Sequence, residues 1–409
     1  MNKITDNRPP FAMLEGKTPE SLFGNIPTPC YVIDEAGLRK NCEILASVIK
    51  KTECSILLAQ KAFSNYDFYP LLSQYLSGTE ASGLFEARLG AEKMPDKEVH
   101  VFCAAYQNKE FDELMNYADH IVFNSPVQLK KFGAKAKHSG KSIGLRINPE
   151  CSTQKEHEIY DPCAAGSRLG TTRMQWEREM NDELIGLLDG LHFHTLCEQN
   201  SDALRKTLDA VNKKFGDILP GMKWLNMGGG HHITRADYNM PLLEQCIEEA
   251  KTKWDVKVYL EPGEACALNA GYLVCRVLDI VQNDSYRIAI LDTSAACHMP
   301  DVIEMPYTPP LYGAENAGSQ ERTNNSAFLY RLAGPTCLAG DIIGDYNFPR
   351  ELHENDILIF GDMAIYSTCK NNTFNGIPLP DIWKRNLSGQ LVKLTNFDYH
   401  DFRKKLGSS

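Results

Sequence analysis

The chain has 409 residues, more than one hydrophobic core usually accommodates, so we expect two domains. Hydrophobic residues make up 43% and charged residues 23% of the sequence, as in ordinary globular proteins, and the net charge of -10 argues against nucleic acid as a partner. No apolar run of about 18 residues appears, which argues against a membrane span, and the N-terminus lacks the apolar core of a signal peptide.

The 13 cysteines are scattered and form no Cys-x-x-Cys pair. In a chain without a signal peptide, this pattern is typical of free thiols in a reducing compartment, so we expect a cytoplasmic protein. Histidines cluster in three places, at His192 and His194, at His231 and His232, and at His298. No thiol or carboxylate stands at a diagnostic ligand spacing from them, so we expect no metal.

Between residues 27 and 270, short apolar runs alternate with longer amphipathic segments. This alternation is typical of parallel strands joined by helices, and about eight such units favour a TIM-like (β/α)8 barrel over an open sheet. The predicted strands are Cys30–Ile33, Ser55–Ala59, His100–Phe102, His120–Phe123, Ile143–Ile147, Gly190–His194, Trp224–Met227 and Val256–Leu260.

The pattern changes after Gly271. Residues 271–409 contain apolar runs separated by turns rich in Gly, Pro and Asn, without long amphipathic helices, which indicates a β domain. Residues 1–26 do not fit the barrel pattern and are expected to join that β domain. The predicted strands are Tyr272–Gln282, Tyr286–Asp292, Ala327–Leu332 and Asp356–Phe360.

One lysine, Lys61, follows the predicted strand Ser55–Ala59 by two residues. Burial disfavours a charged amine, and a neutral amine is a nucleophile that forms a Schiff base with an aldehyde. The alternative is an ordinary lysine whose stem is buried and whose amine reaches solvent. Lys61 is therefore a candidate for covalent attachment of an aldehyde cofactor.

Further candidates follow later predicted strands: His194, Gly228, Gly229, Gly230 and Glu261. Chemistry in such barrels gathers at the C-terminal strand ends, so we expect them at one rim with Lys61. The three glycines either present N–H groups to an anion or form a flexible turn. Glu261 either pairs with a protonated ring nitrogen or makes a surface salt bridge, and His194 either stacks on a ring or lies hydrogen-bonded in the core. Together they match the needs of pyridoxal 5'-phosphate (PLP).

These residues resemble those of the fold type III, alanine-racemase-like, PLP-dependent decarboxylases, which include ornithine, arginine and diaminopimelate decarboxylases. The resemblance runs from Thr28 to about Trp383 and implies a PLP-binding barrel, a C-terminal β domain and a homodimer with shared active sites. It further implies that Lys61 bonds to PLP, His194 stacks on its ring and Glu261 pairs with its ring nitrogen. Its phosphate would lie at Gly228, Gly229 and Gly230.

Two later segments extend the resemblance. Phe360–Tyr366 is similar to the family segment whose tyrosine meets the cofactor, so Tyr366 is a further phosphate-site candidate. Gly334–Cys337 is similar to the loop whose cysteine reaches the neighbouring subunit's site, so Cys337 is the candidate that returns a proton to the substrate. A thiol suits that role because thiols ionise near working pH.

The sequence departs from the amino-acid decarboxylases at three positions. Glu264 stands where an arginine usually follows Glu-Pro-Gly, Cys197 replaces a serine, and Leu338 replaces an acidic residue that grips the substrate. These departures disfavour ornithine or diaminopimelate as the substrate.

Two other segments, Leu260–Ala265 and His298–Asp301, resemble the branch that decarboxylates carboxynorspermidine and carboxyspermidine to norspermidine and spermidine in polyamine biosynthesis. Because these substrates carry cationic amines, Glu264, Asp301 and Asp341 are candidate substrate-binding carboxylates.

Three alternatives stay open. A decarboxylase or racemase of a common amino acid such as diaminopimelate would share the cofactor, although a racemase more often uses a tyrosine as its second acid/base. A non-catalytic PLP-binding protein is typically a lone barrel, which residues 271–409 count against. A sugar-phosphate barrel enzyme without PLP would leave Lys61 unexplained.

Overall fold

The structure, a computed structural model, describes residues 8–154, 161–318 and 328–408. The strands are β1 (Cys30–Asp34), β2 (Ser55–Ala59), β3 (Gly78–Ala81), β4 (Glu98–Phe102), β5 (His120–Phe123), β6 (Ser142–Arg146), β7 (Gly190–His192), β8 (Trp224–Asn226), β9 (Lys257–Leu260), β10 (Gly271–Asn283), β11 (Tyr286–Leu291), β12 (Glu315–Asn316), β13 (Leu329–Ala333), β14 (Ile342–Asn347), β15 (Ile357–Gly361), β16 (Asp381–Arg385) and β17 (Leu391–Thr395).

The helices are α1 (Pro19–Phe23), α2 (Glu35–Thr52), α3 (Tyr69–Leu72), α4 (Leu84–Lys93), α5 (Asn108–Leu114), α6 (Pro126–His138), α7 (Arg173–Glu179), α8 (Asp182–Ile185), α9 (Ser201–Phe215), α10 (Met240–Trp254), α11 (Glu264–Ala267), α12 (Ala295–His298), α13 (Asp301–Glu304), α14 (Ser367–Lys370) and α15 (Tyr399–Leu406). Across the described ranges, none of these helices combines the length and apolar character that a membrane crossing requires.

Residues Arg39–Cys266 form one compact unit, a closed barrel of the parallel strands β2 to β9. The barrel closes where β2 pairs with β9, with Ser55 opposite Tyr259. Parallel strands need crossover connections, and α4, α6, α9 and α10 lie in the connections between successive barrel strands. The predicted (β/α)8 barrel is confirmed.

Alternate residues of each barrel strand point into the barrel. A carbon added at Gly90 of α4 would lie 2.3 Å from Thr79 Oγ1, so Thr79 faces the helices and its neighbour Glu80 faces the interior. Leu57, Val122, Trp224 and Tyr259 form a buried cluster, with Phe102 packed against it. The interior is therefore filled with side chains, as expected for a barrel of this size.

The indole of Trp224 occupies space that only glycine leaves open. A Cβ atom at Gly190 would lie 2.0 Å from Trp224 Cδ2, and one at Gly144 would lie 2.4 Å from Trp224 Cη2. Trp224 Nε1 donates a hydrogen bond of 2.9 Å to Ser142 Oγ, which fixes the ring in this position.

We expect Gly190→Ala to lower the free energy of unfolding by about 1–3 kcal/mol, because the added methyl group overpacks the barrel interior. Thermal unfolding measures the change. Gly221→Ala is the matched control, since a Cβ atom there meets nothing within 4 Å. Equal unfolding midpoints for the two variants would contradict the packing argument.

The second compact unit combines the residues up to Leu38 with those from Ala267 onward. Its sheet has the strand order β12-β14-β13-β11-β10-β1-β16-β17, and β15 also pairs with β10. One face carries a core that includes Tyr31, Leu273 and Phe360, and the other carries Cys30, Val32 and Tyr272. The predicted β domain is confirmed. Of its predicted strands, Ala327–Leu332 begins outside the described residues.

One predicted strand was assigned to the wrong unit, and one barrel strand was missed. Cys30–Ile33 belongs to β1 of the sheet unit, where it pairs with β10 and β16, and not to the barrel. All five residues of β1 are buried because both faces of that sheet are covered, which gives the continuous apolar run of a barrel strand. The barrel strand that was not predicted is β3, at Gly78–Ala81. The unit boundaries accordingly fall after residues 38 and 266, whereas the sequence placed the barrel at 27–270.

Candidate active site

The predicted barrel candidates lie just beyond the C-terminal ends of their strands. Lys61 follows β2 by two residues, His194 follows β7 by two, Gly228 follows β8 by two, and Glu261 follows β9 by one. Because all eight barrel strands are parallel, these positions lie at one end of the barrel.

The loop that carries Lys61 lies against the loop that carries Glu261. The N–H of Ala59 donates a hydrogen bond of 3.3 Å to the carbonyl of Pro262. A Cβ atom at Gly263 would lie 2.6 Å from Ala62 Cβ, so only glycine permits this approach. The Lys61 side chain is half-buried there.

Glu261 is a buried carboxylate held on both oxygens. Asn226 Nδ2 donates a hydrogen bond of 2.5 Å to Oε1, and His192 Nε2 lies 3.1 Å from Oε2. Burial alone raises the pKa of Glu261, but its interactions with His192 and Asn226 lower the pKa below the usual value. Burial also lowers the pKa of His192, so at neutral pH this imidazole is neutral and donates its Nε2–H to the ionised Glu261.

The glycine run is wedged between the two neighbouring loops. A Cβ atom at Gly228 would lie 2.3 Å from the carbonyl oxygen of Phe193, and one at Gly229 would lie 2.3 Å from that of Glu261. Gly228 and Gly230 have φ values of +68° and +78°, in the left-handed region that favours glycine. The run is therefore a constrained loop and not a flexible turn.

The glycine run also sets the orientation of His194. The N–H of Gly229 donates a hydrogen bond of 2.8 Å to His194 Nδ1, so Nδ1 is unprotonated. Removal from water lowers the pKa of His194 well below its usual value, and the charge of Lys61 lowers it further. His194 is thus a neutral ring with its hydrogen on Nε2.

These groups fit PLP. The N–H of Gly230 has no acceptor among the described residues, and is a donor available to a phosphate. The neutral His194 ring and the ionised, buried Glu261 suit the face and the protonated nitrogen of a pyridine. Lys61 supplies the amine.

Glu264 lies in a different environment from the one predicted for a substrate contact. Its carboxylate is 2.6 Å from His232 Nε2, and both side chains are nearly buried. Burial lowers the pKa of His232, but the hydrogen bond with Glu264 outweighs burial and raises it above the usual value. Glu264 therefore already has a hydrogen-bond partner, His232, two residues beyond the glycine run.

The remaining candidates lie in the sheet unit. Cys337 is exposed, and its N–H donates a hydrogen bond of 2.9 Å to Asn375 Oδ1. Asp341 is 3% exposed and accepts hydrogen bonds from Ser294 and Thr336. The hydrogen bonds of Cys337 and Asp341 were not predicted from the sequence.

Asp301 and Tyr366 belong to the same unit. Lys370 bridges Asp301 and Glu304, so the Asp301 carboxylate is paired with a cation. Tyr366 has a φ of +54°, which is unusual for a residue with a large side chain and is often found at functional sites.

Sequence reasoning missed several polar side chains at the ends of the barrel strands. Arg146 is buried, donates a hydrogen bond of 3.0 Å to the His194 carbonyl and packs 4.6 Å above the Phe102 ring. Glu80 is 3% exposed, and burial together with the charge of Glu261 raises its pKa to about 8. Asn226 and His192 are the last residues of their strands, and each precedes a predicted candidate, Gly228 or His194, by two residues. This spacing is the sequence signal that could have identified them.

One group of possible metal ligands, Glu98, His100 and His120, occurs among the described residues. The two imidazole rings stack at 3.9 Å with planes 10° apart, so their in-plane lone pairs lie in nearly parallel, separate planes, which disfavours a shared ion. Lys257 Nζ also lies 3.3 Å from Glu98 Oε1. The expectation of no metal stays a prediction.

A closed parallel barrel with this lysine, glycine run and buried carboxylate at one end, together with a separate sheet unit, defines a PLP enzyme of fold type III. The family described as "Pyridoxal-dependent decarboxylase, C-terminal sheet domain" matches residues 30–364. The chain belongs to the pyridoxal-dependent decarboxylases.

Two relatives and one solved structure are similar to this chain over nearly its full length. The chain is 42% identical over 386 residues to the carboxynorspermidine/carboxyspermidine decarboxylase of Campylobacter jejuni, covering 93% of this chain and 99% of the relative. It is 38% identical to the carboxyaminopropylagmatine decarboxylase of Synechocystis, covering 94% and 97%. The crystal structure of the Campylobacter jejuni carboxynorspermidine decarboxylase complexed with norspermidine superposes with a TM-score of 0.85 at 40% identity, covering 93% of this chain and all of the other.

Proposed function

We propose that this chain decarboxylates carboxynorspermidine and carboxyspermidine, forming norspermidine and spermidine with PLP as the cofactor. The observation that carries the proposal is the 42% identity, over almost the whole of both chains, to a relative of that name. The norspermidine complex of the structural neighbour supports the same class of substrate.

We assign roles to the barrel residues that their contacts support. Bound PLP supplies an acceptor for the electron pair that remains when CO2 leaves the substrate. Lys61 would hold the cofactor through its side-chain amine, the one amine nucleophile on the loop after β2. Glu261, ionised by its contacts with His192 and Asn226, holds a proton on the ring nitrogen. His194, fixed by the Gly229 N–H, contacts the ring face.

The phosphate and the returning proton involve other residues. The Gly228–Gly230 loop would hold the phosphate, with the Gly230 N–H as the donor, since the N–H groups of Gly228 and Gly229 bond Asn226 and His194. Tyr366 is proposed as a further contact. Cys337 Sγ donates a proton to the substrate α-carbon, which replaces the bond lost with CO2.

Substrate recognition is proposed to use carboxylates against the cationic amines. Asp301, Glu264 and Asp341 were predicted for this role, and each has a polar partner within its own unit. Of the three, Asp301 shares its cation, Lys370, with Glu304, so a substrate amine has the least to displace there.

We further propose a cytoplasmic homodimer. All thirteen cysteines lie within the described residues and none of them forms a disulfide bond, in keeping with a reducing compartment. The exposed position of Cys337 leaves this thiol accessible to the active site of a partner subunit. Light scattering on the purified protein measures the oligomeric state, and a monomer that retains full activity would contradict the shared site.

The function is tested by amine product formation with PLP supplied. The substrates are carboxynorspermidine, carboxyspermidine, carboxyaminopropylagmatine, ornithine and meso-diaminopimelate. We expect norspermidine or spermidine as the main product. The carboxylated triamines differ by one methylene, worth only about 1–3 kcal/mol of discrimination, so we expect measurable turnover of both.

Other outcomes select other functions. Turnover of diaminopimelate alone would move the chain to the amino-acid decarboxylases. Preference for carboxyaminopropylagmatine would favour the activity named for the Synechocystis relative. PLP binding without any product would favour a non-catalytic PLP-binding protein.

A further inference from the structure

The segment between β13 and β14 forms a closed loop that carries Cys337. The N–H of Gly334 donates a hydrogen bond of 2.9 Å to the carbonyl of Asp341. The N–H of Asp341 in turn donates a hydrogen bond of 2.9 Å to the carbonyl of Leu338. Cys337 thus lies on the exposed part of a loop whose two ends are joined by Asp341.

The Asp341 carboxylate is directed into the base of this loop. Oδ2 accepts hydrogen bonds of 2.7 Å from Thr336 Oγ1 and 2.9 Å from Ser294 Oγ, with the Thr336 N–H at 3.4 Å. Oδ1 accepts from the Ala296 N–H at 3.3 Å. A Cβ atom at Gly334 would lie 2.2 Å from Oδ2, so glycine is needed for the carboxylate to enter.

The same bonds fix the backbone on both sides of Cys337. Thr336, which precedes it, is bonded to Asp341, and the Leu338 N–H, which follows it, donates a hydrogen bond of 3.3 Å to Thr336 Oγ1. The Cys337 N–H itself donates to Asn375 Oδ1. The thiol is therefore carried on a backbone fixed at three consecutive residues.

We infer that Asp341 is a positioning residue for Cys337 and not a contact for a substrate amine. A carboxylate oxygen has two lone-pair directions, and here three donors already share Oδ2 while a fourth lies at Oδ1 of a side chain that is 3% exposed. A substrate ammonium would have to replace donors that hold the loop. The inference rests on the proposed function, in which Cys337 returns the proton to the substrate.

The test compares Asp341→Asn and Thr336→Val with the unchanged protein. Asparagine keeps the shape of Asp341 but loses one acceptor oxygen, and valine keeps the shape of Thr336 but loses its hydroxyl group. The first measurement is the iodoacetamide alkylation rate of Cys337, followed by peptide mass analysis. Cys369, the other exposed cysteine, is the internal reference. The second measurement is kcat and KM for carboxynorspermidine.

We expect both variants to change the Cys337 alkylation rate at least about fivefold, the factor that corresponds to one hydrogen bond, with the Cys369 rate unchanged. We also expect kcat to fall while KM stays nearly constant, because the proton is delivered after the substrate has bound. Asp345→Asn is the matched control, since this carboxylate on β14 accepts hydrogen bonds from Arg331 on β13, and both residues lie outside the loop. It is expected to leave both measurements unchanged.

A raised KM with unchanged kcat and unchanged Cys337 alkylation would overturn the inference and restore Asp341 as a substrate contact. Should Asp341→Asn fail to fold, as judged by circular dichroism, Thr336→Val decides alone. Failure of the proposed function is distinguishable, because the unchanged protein would then show no turnover of carboxynorspermidine, whereas a Cys337→Ser variant with full kcat would show only that another group returns the proton.

Discussion

Replacing Lys61 with alanine is expected to lower decarboxylation at least about 10³-fold and to remove the long-wavelength absorbance of lysine-bound pyridoxal. Lys61 is the amine that follows β2, and its loop lies against the Glu261 loop. The alanine side chain offers no nucleophile, so the cofactor would be held by its phosphate and ring contacts alone. Absorbance spectra and turnover of carboxynorspermidine measure the two effects.

Lys257→Ala is the control for this variant. Lys257 also belongs to a barrel strand, but it starts β9 and contacts Glu98 instead of the rim. Its absorbance spectrum and kcat are expected to match those of the unchanged protein. An active Lys61→Ala variant with the absorbance intact would contradict the assignment of Lys61.

Glu261→Gln is expected to lower kcat by about 10²–10³-fold while the lysine-bound absorbance remains. Glutamine preserves the size of the side chain and one acceptor, but it carries no negative charge to hold a proton on a ring nitrogen. Because the contacts with His192 and Asn226 lower the pKa of Glu261, the carboxylate is ionised throughout the neutral range, and the loss is expected at every pH from 6 to 9.

Glu98→Gln is the matched control, since Glu98 also pairs with a buried histidine, His100, but at the N-terminal end of the barrel. It is expected to leave kcat unchanged. A Glu261→Gln variant with normal kcat would show that the carboxylate has a structural role only.

The parts of the site that were predicted share a local signal. Lys61, His194 and Glu261 each come one or two residues after an apolar run, and the rim position follows from that spacing. Glu80 was missed because its strand, Gly78-Thr79-Glu80-Ala81, has few residues that favour strands. Close packing determines the residue at the start of this strand, since a Cβ atom at Gly78 would lie 1.9 Å from the Glu98 carbonyl oxygen.

Other features depend on contacts between residues that are far apart in the chain. Asp341 meets Ser294, 47 residues away, and Glu264 meets His232, 32 residues away. Nothing near either carboxylate in the sequence distinguishes a bonded residue from one open to a substrate. The assignment of β1 to the barrel has a similar cause, because burial on both faces gives a strand of this sheet the same apolar run as a barrel strand.

The packing around Trp224 inside the barrel restricts which substitutions this sequence can accept during evolution. Trp224, Gly144 and Gly190 share one volume, so a larger residue at either glycine is tolerated only after the indole has become smaller. A smaller residue at position 224 on its own leaves a cavity toward the N-terminal end of the barrel. Each single substitution therefore lowers fitness until the second one compensates for it. We expect the three positions to change together during evolution.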